Sequence, residues 1–155
     1  MSDLKVEIKV LKPSKENIKE CERIRYDAIG QVIPEQFLTS SKCAGRLYNA
    51  EMLIFGMYLD DILAAGCYVS DSFDTLFIDH LFVKKEFQET GLYLGRQLLK
   101  HVLDNREATE KYFHFRPTKS ELFYIDNKSK RTYEKMGYTI KNSEIGLMSK
   151  QLTKL

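Results

Sequence analysis

One stretch, Leu76 to Leu103 (LFIDHLFVKKEFQETGLYLGRQLLKHVL), changes its hydrophobic period midway, and that change limits the folds open to the chain. Leu76 to Val83 is rich in β-branched and aromatic residues and reads as a strand. Leu94, Leu98, Leu99, Val102 and Leu103 then fall on one helical face, with Arg96, Gln97, Lys100 and Asp104 away from it. Gly91 lies in the turn between them. A strand that feeds a helix through such a turn belongs in a layered α/β protein. Its backbone N–H groups can be aimed at an anion and can hold a phosphate without a dedicated basic side chain.

The flanking segments fit a mixed α/β layer. Leu4, Val6, Ile8 and Val10 alternate with charged residues and predict a half-buried strand. Ser14 is a candidate N-cap for a helix carrying Ile18, Cys21, Ile24, Ala28 and Ile29, with Gly30 as its stop. A second helix is expected from Pro34, carrying Phe37, Leu38, Ala44 and Leu47. Met52–Leu59 and Ile62–Val69 read as strands joined by a tight hairpin at Asp60-Asp61. Ser70–Asp74 reads as a polar loop. Tyr112–Phe115 reads as a strand ended by Pro117, and residues 118–126 as either strand or short helix. Lys128–Met136 is a predicted helix closed by Gly137, followed by strands at Tyr138–Ile140 and Ile145–Leu152.

At 155 residues the chain suits one domain spanning 1–155. A formal net charge of +2 gives no argument for nucleic acid as partner. Cys21, Cys43 and Cys67 are odd in number and scattered, which fits reduced thiols packed as small apolar groups. No apolar run approaches the ~18 residues of a membrane span, and the N-terminus alternates where a signal peptide would be apolar. A cytoplasmic protein is expected. His80, His101 and His114 form no recognisable metal spacing with Asp79, so no metal is expected.

Two segments carry a family resemblance. Residues 83–99, VKKEFQETGLYLGRQLL, resemble the acetyl-CoA loop of GNAT-type N-acetyltransferases, in which Gln or Arg, two residues, Gly, one residue, and Gly or Ala precede a helix. Gln88, Glu89, Thr90 and Gly91 match its first half. Tyr93 stands where the second small residue belongs; Gly95 is the alternative, so two registers are open. Residues 126–138, DNKSKRTYEKMGY, are similar to the family's closing motif through Tyr133, Glu134, Lys135, Gly137 and Tyr138. Asp126 occupies the usual Asn position, with Asn127 one residue away.

The resemblance implies a single GNAT fold: a central mixed sheet of six or seven strands, about four helices, and splayed fourth and fifth strands. It implies acetyl-CoA as cofactor, held by the backbone of Leu81, Phe82 and Val83 and by the loop Gln88, Glu89, Thr90, Gly91, Leu92, Tyr93 and Gly95. Asp126 or Asn127 would bond the pantetheine arm or a bound water. Tyr133 would be the general acid for the departing thiolate, since a phenol with a pKa near 10 donates where water is scarce. Asp79 would take a proton from the amine or attract an ammonium, with His80 a rival base on the opposite strand face. Glu35, Tyr26, Tyr48 and Asp74 are candidates for the amine pocket.

The function so implied is direct acetyl transfer to a primary amine of a small molecule or peptide, and the resemblance is compatible with a homodimer. Within the fold the alternatives are a longer acyl donor, or acetylation of a protein N-terminus or lysine. A CoA-binding regulatory module without turnover is the rival from another class, favoured by Tyr93 and Asp126.

Overall fold

The structure, a computed structural model, describes residues 4–152. Antiparallel neighbours build the first part of the sheet: β1 (Val6–Leu11), β2 (Leu53–Leu59), β3 (Ile62–Ser72) and β4 (Thr75–Val83). Asp60 and Asp61 both take positive φ (47° and 69°), which is the two-residue turn whose twist suits a hairpin. β3 runs on to Ser72, so the segment read as a polar loop is mostly strand, and only Phe73-Asp74 turns. The sheet continues through β5 (Lys119–Phe123), β7 (Leu147–Gln151) and β6 (Thr139–Asn142), giving the order β1-β2-β3-β4-β5-β7-β6.

Among the described residues, five α-helices cover the sheet. α1 (Lys15–Ala28) starts at Ser14, whose Oγ accepts the Asn17 N–H at 3.2 Å. The helix expected from Pro34 is split into a 3-10 turn at Glu35–Phe37 and α2 (Lys42–Tyr48). Ser41 causes the break, because its Oγ accepts the Ala44 N–H (3.0 Å) and caps a new helix. α3 (Leu94–Asp104) follows the Gly91 turn, and α5 (Asn127–Lys135) is stopped ahead of Gly137, at φ 97°.

The strand expected at Tyr112–Phe115 is an error. That region is α4 (Arg106–Phe113), ended by His114 in the left-handed conformation (φ 63°). The aromatic cluster mimics a strand, yet Arg106 and Thr109 are buried while Ala108, Tyr112 and Phe113 pack on the core, a helical spacing. The ambiguous segment supplies the strand instead, since β5 pairs with both β4 and β7.

The core has two clusters. One joins α3 to Leu53, Phe55, Cys67, Leu76, Ile78 and Leu122; the other joins α1 and α2 to Ile54, Leu63, Tyr68 and Phe82. Two irregularities of β4 shape the space between them. Its parallel pairing with β5 covers only Thr75–Phe77 against Lys119–Glu121, so the strands part beyond Phe77. Its register with β3 also shifts, from Val69↔Ile78 to Tyr68↔His80, leaving Asp79 as an extra, bulged residue.

That bulge overturns the expected alternation along β4. Ile78 lies in the α3-side core, where Leu81 and Val83 also pack, whereas Phe82 lies in the α1/α2-side core. Asp79 and His80 both reach side chains of α2, so they share a face and do not oppose each other.

Candidate active site

A cleft of ≈ 700 Å³ opens where β4 and β5 part. Its walls are the second half of β4, the 87–96 turn, the end of β5, α5, and the C-terminal end of α1. The cleft brings together Asp79, Leu81, Phe82, Val83, Gln88, Glu89, Thr90, Gly91, Tyr93, Gly95, Asp126 and Tyr133. Leu92 and Asn127, also singled out in the sequence, do not line it. Nor do Glu35, Tyr26, Tyr48 and Asp74. Glu35 pairs instead with Lys19 and Arg23, and Asp74 accepts from Thr118 and Thr75.

The turn into α3 is held by its own side chains. Thr90 Oγ1 donates to the Phe87 carbonyl (2.9 Å), and Gln88 Nε2 donates to the Val83 carbonyl (2.9 Å). Glu89, Gly91 and Tyr93 all take positive φ, and Tyr93 is the residue that caps α3. The first helical bond runs from the Gln97 N–H to the Tyr93 carbonyl (3.0 Å), which leaves the N–H groups of Leu94, Gly95 and Arg96 ahead of the ladder. A Cβ on Gly95 would lie 3.4 Å from Val83 Cγ2, whereas one on Gly91 would meet nothing within 4 Å. A Cβ at Gly95 would make an ordinary contact with Val83, so α3 could pack on β4 with alanine there, and Gly91, at φ 78°, supplies backbone freedom upstream. Arg96 Nε is buried without a partner, and its guanidinium stacks 4.8 Å from the Tyr93 ring.

Across the cleft, α5 presents Tyr133. Asp126 caps this helix: its Oδ1 accepts the Ser129 N–H (2.8 Å) while Ser129 Oγ accepts the Asp126 N–H (3.2 Å). One carboxylate oxygen of Asp126 is therefore committed to the cap. Burial, then the neighbouring Cys67 and Asp126, push the Tyr133 phenol up to about 12. Its ring meets Tyr138 edge-on at 6.0 Å, and Tyr138 in turn shares a 2.8 Å hydrogen bond with Ser120.

The model of the acetyltransferase (GNAT) domain matches residues 13–146. The chain belongs to the GNAT acetyltransferase family. Among solved structures, this GNAT domain resembles the PaiA N-acetyltransferase of Thermoplasma acidophilum in complex with coenzyme A, with 16% identity and TM-score 0.64 over 95% of this chain and 99% of that one. It also resembles the ribosomal-protein-S18-alanine N-acetyltransferase of Escherichia coli, with 16% identity and TM-score 0.67 over 97% and 96%. A putative GNAT acetyltransferase of Desulfovibrio desulfuricans shares 15% identity and TM-score 0.72 over 96% and 100%. None of the curated proteins compared matches the sequence.

The GNAT domain also carries a polar wall that local sequence spacing did not reveal. Arg46 Nη1 donates to Asp79 Oδ1 (2.9 Å) and Ser70 Oγ donates to Asp79 Oδ2 (2.6 Å), so both carboxylate oxygens are engaged. His80 Nε2 lies 3.3 Å from Cys43 Sγ, and the ring stands edge-on to Tyr68. Behind them Glu22, fully buried, accepts from Arg25 Nε (2.6 Å), Ser41 Oγ (2.5 Å) and Tyr68 OH (2.8 Å). These bonds hold the Glu22 carboxyl below its ordinary value despite the opposing effect of burial. The one sequence signal was a Glu beside Cys21 on the apolar side of α1, with Arg25 three residues on.

No helix among the described residues is long and apolar enough to cross a membrane. Among the described residues no group of three or more His, Cys, Asp or Glu is placed to hold a metal ion.

Proposed function

We propose that this GNAT domain transfers an acetyl group from acetyl-CoA directly to a primary amine of a small molecule or peptide. One observation carries the reading: the parting of β4 and β5 joins three features in a single cleft. These are an unpaired strand edge at Ile78–Val83, unbonded amides at the start of α3, and the Tyr133 phenol.

The residues fit the cofactor. Its pantetheine arm needs backbone partners, and the open edge near Leu81 and Val83 supplies them as a sheet neighbour would. Its pyrophosphate needs N–H donors and positive charge, and the Leu94–Arg96 amides lie at the positive end of α3. Arg96 adds an Nε–H with no protein partner. When bound, acetyl-CoA supplies an activated thioester carbonyl, and a β4 N–H would polarise it.

Tyr133 keeps its proton at neutral pH because its pKa is raised to about 12, and it faces the same cleft, as a donor to the leaving thiolate must. Asp79, with both oxygens engaged, serves by attracting an ammonium group. Ile29, Phe123 and Ile125, all partly or largely exposed, flank the mouth and would meet the body of the acceptor.

Calorimetry with acetyl-CoA, then thiol release with a panel of small-molecule and peptide amines, tests the reading. Binding with turnover on at least one amine is the expected result. At 100 times its Kd the cofactor should stabilise the fold by about 2.7 kcal/mol, a rise in Tm on the order of 5–10 °C. Binding without turnover on any amine would favour the regulatory module, a reading supported by the commitment of Asp126 to its helix cap. Absence of binding would sink both.

A further inference from the structure

The proton of the acceptor amine needs a destination, and the bulge in β4 places two candidates on the α2 side of the strand. Asp79 is tied through both oxygens to Arg46 and Ser70. His80 is held through one nitrogen only: Nε2 lies 3.3 Å from Cys43 Sγ, and Nδ1 has no hydrogen-bond partner among the described residues. In the tautomer that carries its proton on Nε2, towards the sulfur, the lone pair of a neutral imidazole sits on Nδ1. His80 lines the cleft together with Tyr133, while its ring is steadied edge-on against Tyr68 at 5.9 Å.

We infer that His80 is the base of this transferase, taking a proton from the incoming ammonium group, and that Cys43 is a positioning residue that orients its ring. The inference rests on the acetyltransferase reading above and deepens it. Without the bulge His80 would face away from Asp79; with it, the imidazole and the carboxylate stand on the acceptor side together.

The surroundings keep the ring in its accepting state. Burial is the largest effect and lowers the His80 pKa. Arg25 from α1 and Arg46 from α2 act in the same sense, whereas Asp79 on β4 and Glu22 from α1 oppose them. Each guanidinium is matched by a carboxylate, Arg25 by Glu22 and Arg46 by Asp79. Tyr68 from β3 and the Cys43 thiol complete the shell, and burial raises both of their pKa values, so they stay neutral. An imidazole below its ordinary ~6.5 is unprotonated at neutral pH and free to accept.

The protons balance. The ammonium gives one proton to His80 Nδ1, and the freed nitrogen pair bonds the acyl carbon. The carbon–sulfur bond breaks with its electron pair on sulfur, which takes the Tyr133 proton. The second amine proton restores Tyr133 through solvent, and His80 releases its proton to water. The products are the amide, the free thiol and one proton.

The test is thiol release against pH on an amine that the wild-type protein accepts, with acetyl-CoA affinity measured beside it. His80→Gln should lower kcat about 100-fold or more, leave acetyl-CoA affinity within about threefold, and abolish the acid limb of the profile. That limb should lie below about pH 6.5 in the wild type. Cys43→Ala should lower kcat and shift the limb, and Cys43→Ser, which keeps a polar partner for Nε2, should restore both. Wild-type turnover or an unchanged acid limb in His80→Gln overturns the assignment. If that variant folds poorly, NMR titration of His80 in the wild-type protein decides. A midpoint coinciding with the acid limb supports the base, and one separated from it by more than about a pH unit overturns it. Failure of the wild type to bind acetyl-CoA would overturn the acetyltransferase reading itself, which is a different result from bound cofactor with an inert His80 substitution.

Discussion

Leu81 and Val83 face α3 across an apolar seam, whereas Asp79 and His80 face α2 across hydrogen bonds. The α3 side works through features that many sequences can supply: backbone amides, a small residue at Gly95 and aliphatic packing. The α2 side works through particular partners, Arg46, Ser70, Cys43 and the buried Glu22 set. A cofactor shared by a family needs only the first kind of wall. An acceptor peculiar to one chain draws on the second, so on the proposed reading the amine end of the acceptor lies towards the α1/α2 side.

Substitution of Glu22 strains this comparison most. Glu22→Ala strands Arg25, Ser41 and Tyr68 together, and breaking a buried ion pair on one side costs about 3–5 kcal/mol. Thermal unfolding should register a fall in Tm on the order of 10 °C. The Glu22 carboxyl titrates below its ordinary 4.5, so its contribution to stability is present above that value and is lost as pH falls through the folded-state pKa. The stability gap between wild type and Glu22→Gln should therefore narrow only in acid, below about pH 4.5. A gap that stayed constant down to pH 3 would mean that the carboxylate is not the stabilising form.

The α3 side should respond more mildly. Gly91→Ala forces a side chain to φ 78° and should cost about 1–2 kcal/mol in denaturant unfolding, although its Cβ meets open space. Gly95→Ala has the smallest expected effect on stability, within about 1 kcal/mol, because alanine suits a helix and the Val83 contact is 3.4 Å. A bulkier side chain at that position, Gly95→Val, should by contrast lower acetyl-CoA affinity about tenfold, a loss on the order of 1.4 kcal/mol, and more than Gly91→Ala does. The reverse order in calorimetry would move the phosphate site from the start of α3 to the Gly91 turn.

Legibility in the sequence follows the same division. The hairpin at Asp60-Asp61, the Ser14 cap, α3 and the Gly137 stop were readable because each depends on residues a few positions apart. The Tyr112–Phe115 segment was misread because three aromatics in four residues look like a strand until their burial on α4 is known. The bulge was invisible, since nothing local to Asp79-His80 announces it; it arises from register against Tyr68 and Val69 on β3. The polar wall was hidden for a similar reason. Cys43 and His80 are 37 positions apart, Arg46 and Asp79 33, and Glu22 and Tyr68 46. Pairs at such separation become visible only once the sheet brings them together.

The central claim is that one cleft holds acetyl-CoA and delivers a proton from Tyr133. Tyr133→Phe removes a single hydroxyl from that cleft, and its kcat and acetyl-CoA Kd, measured on the same preparation, test the claim most directly. The account predicts a kcat lower by about 100-fold or more with a Kd within about threefold of wild type. Wild-type kcat at every pH would contradict it.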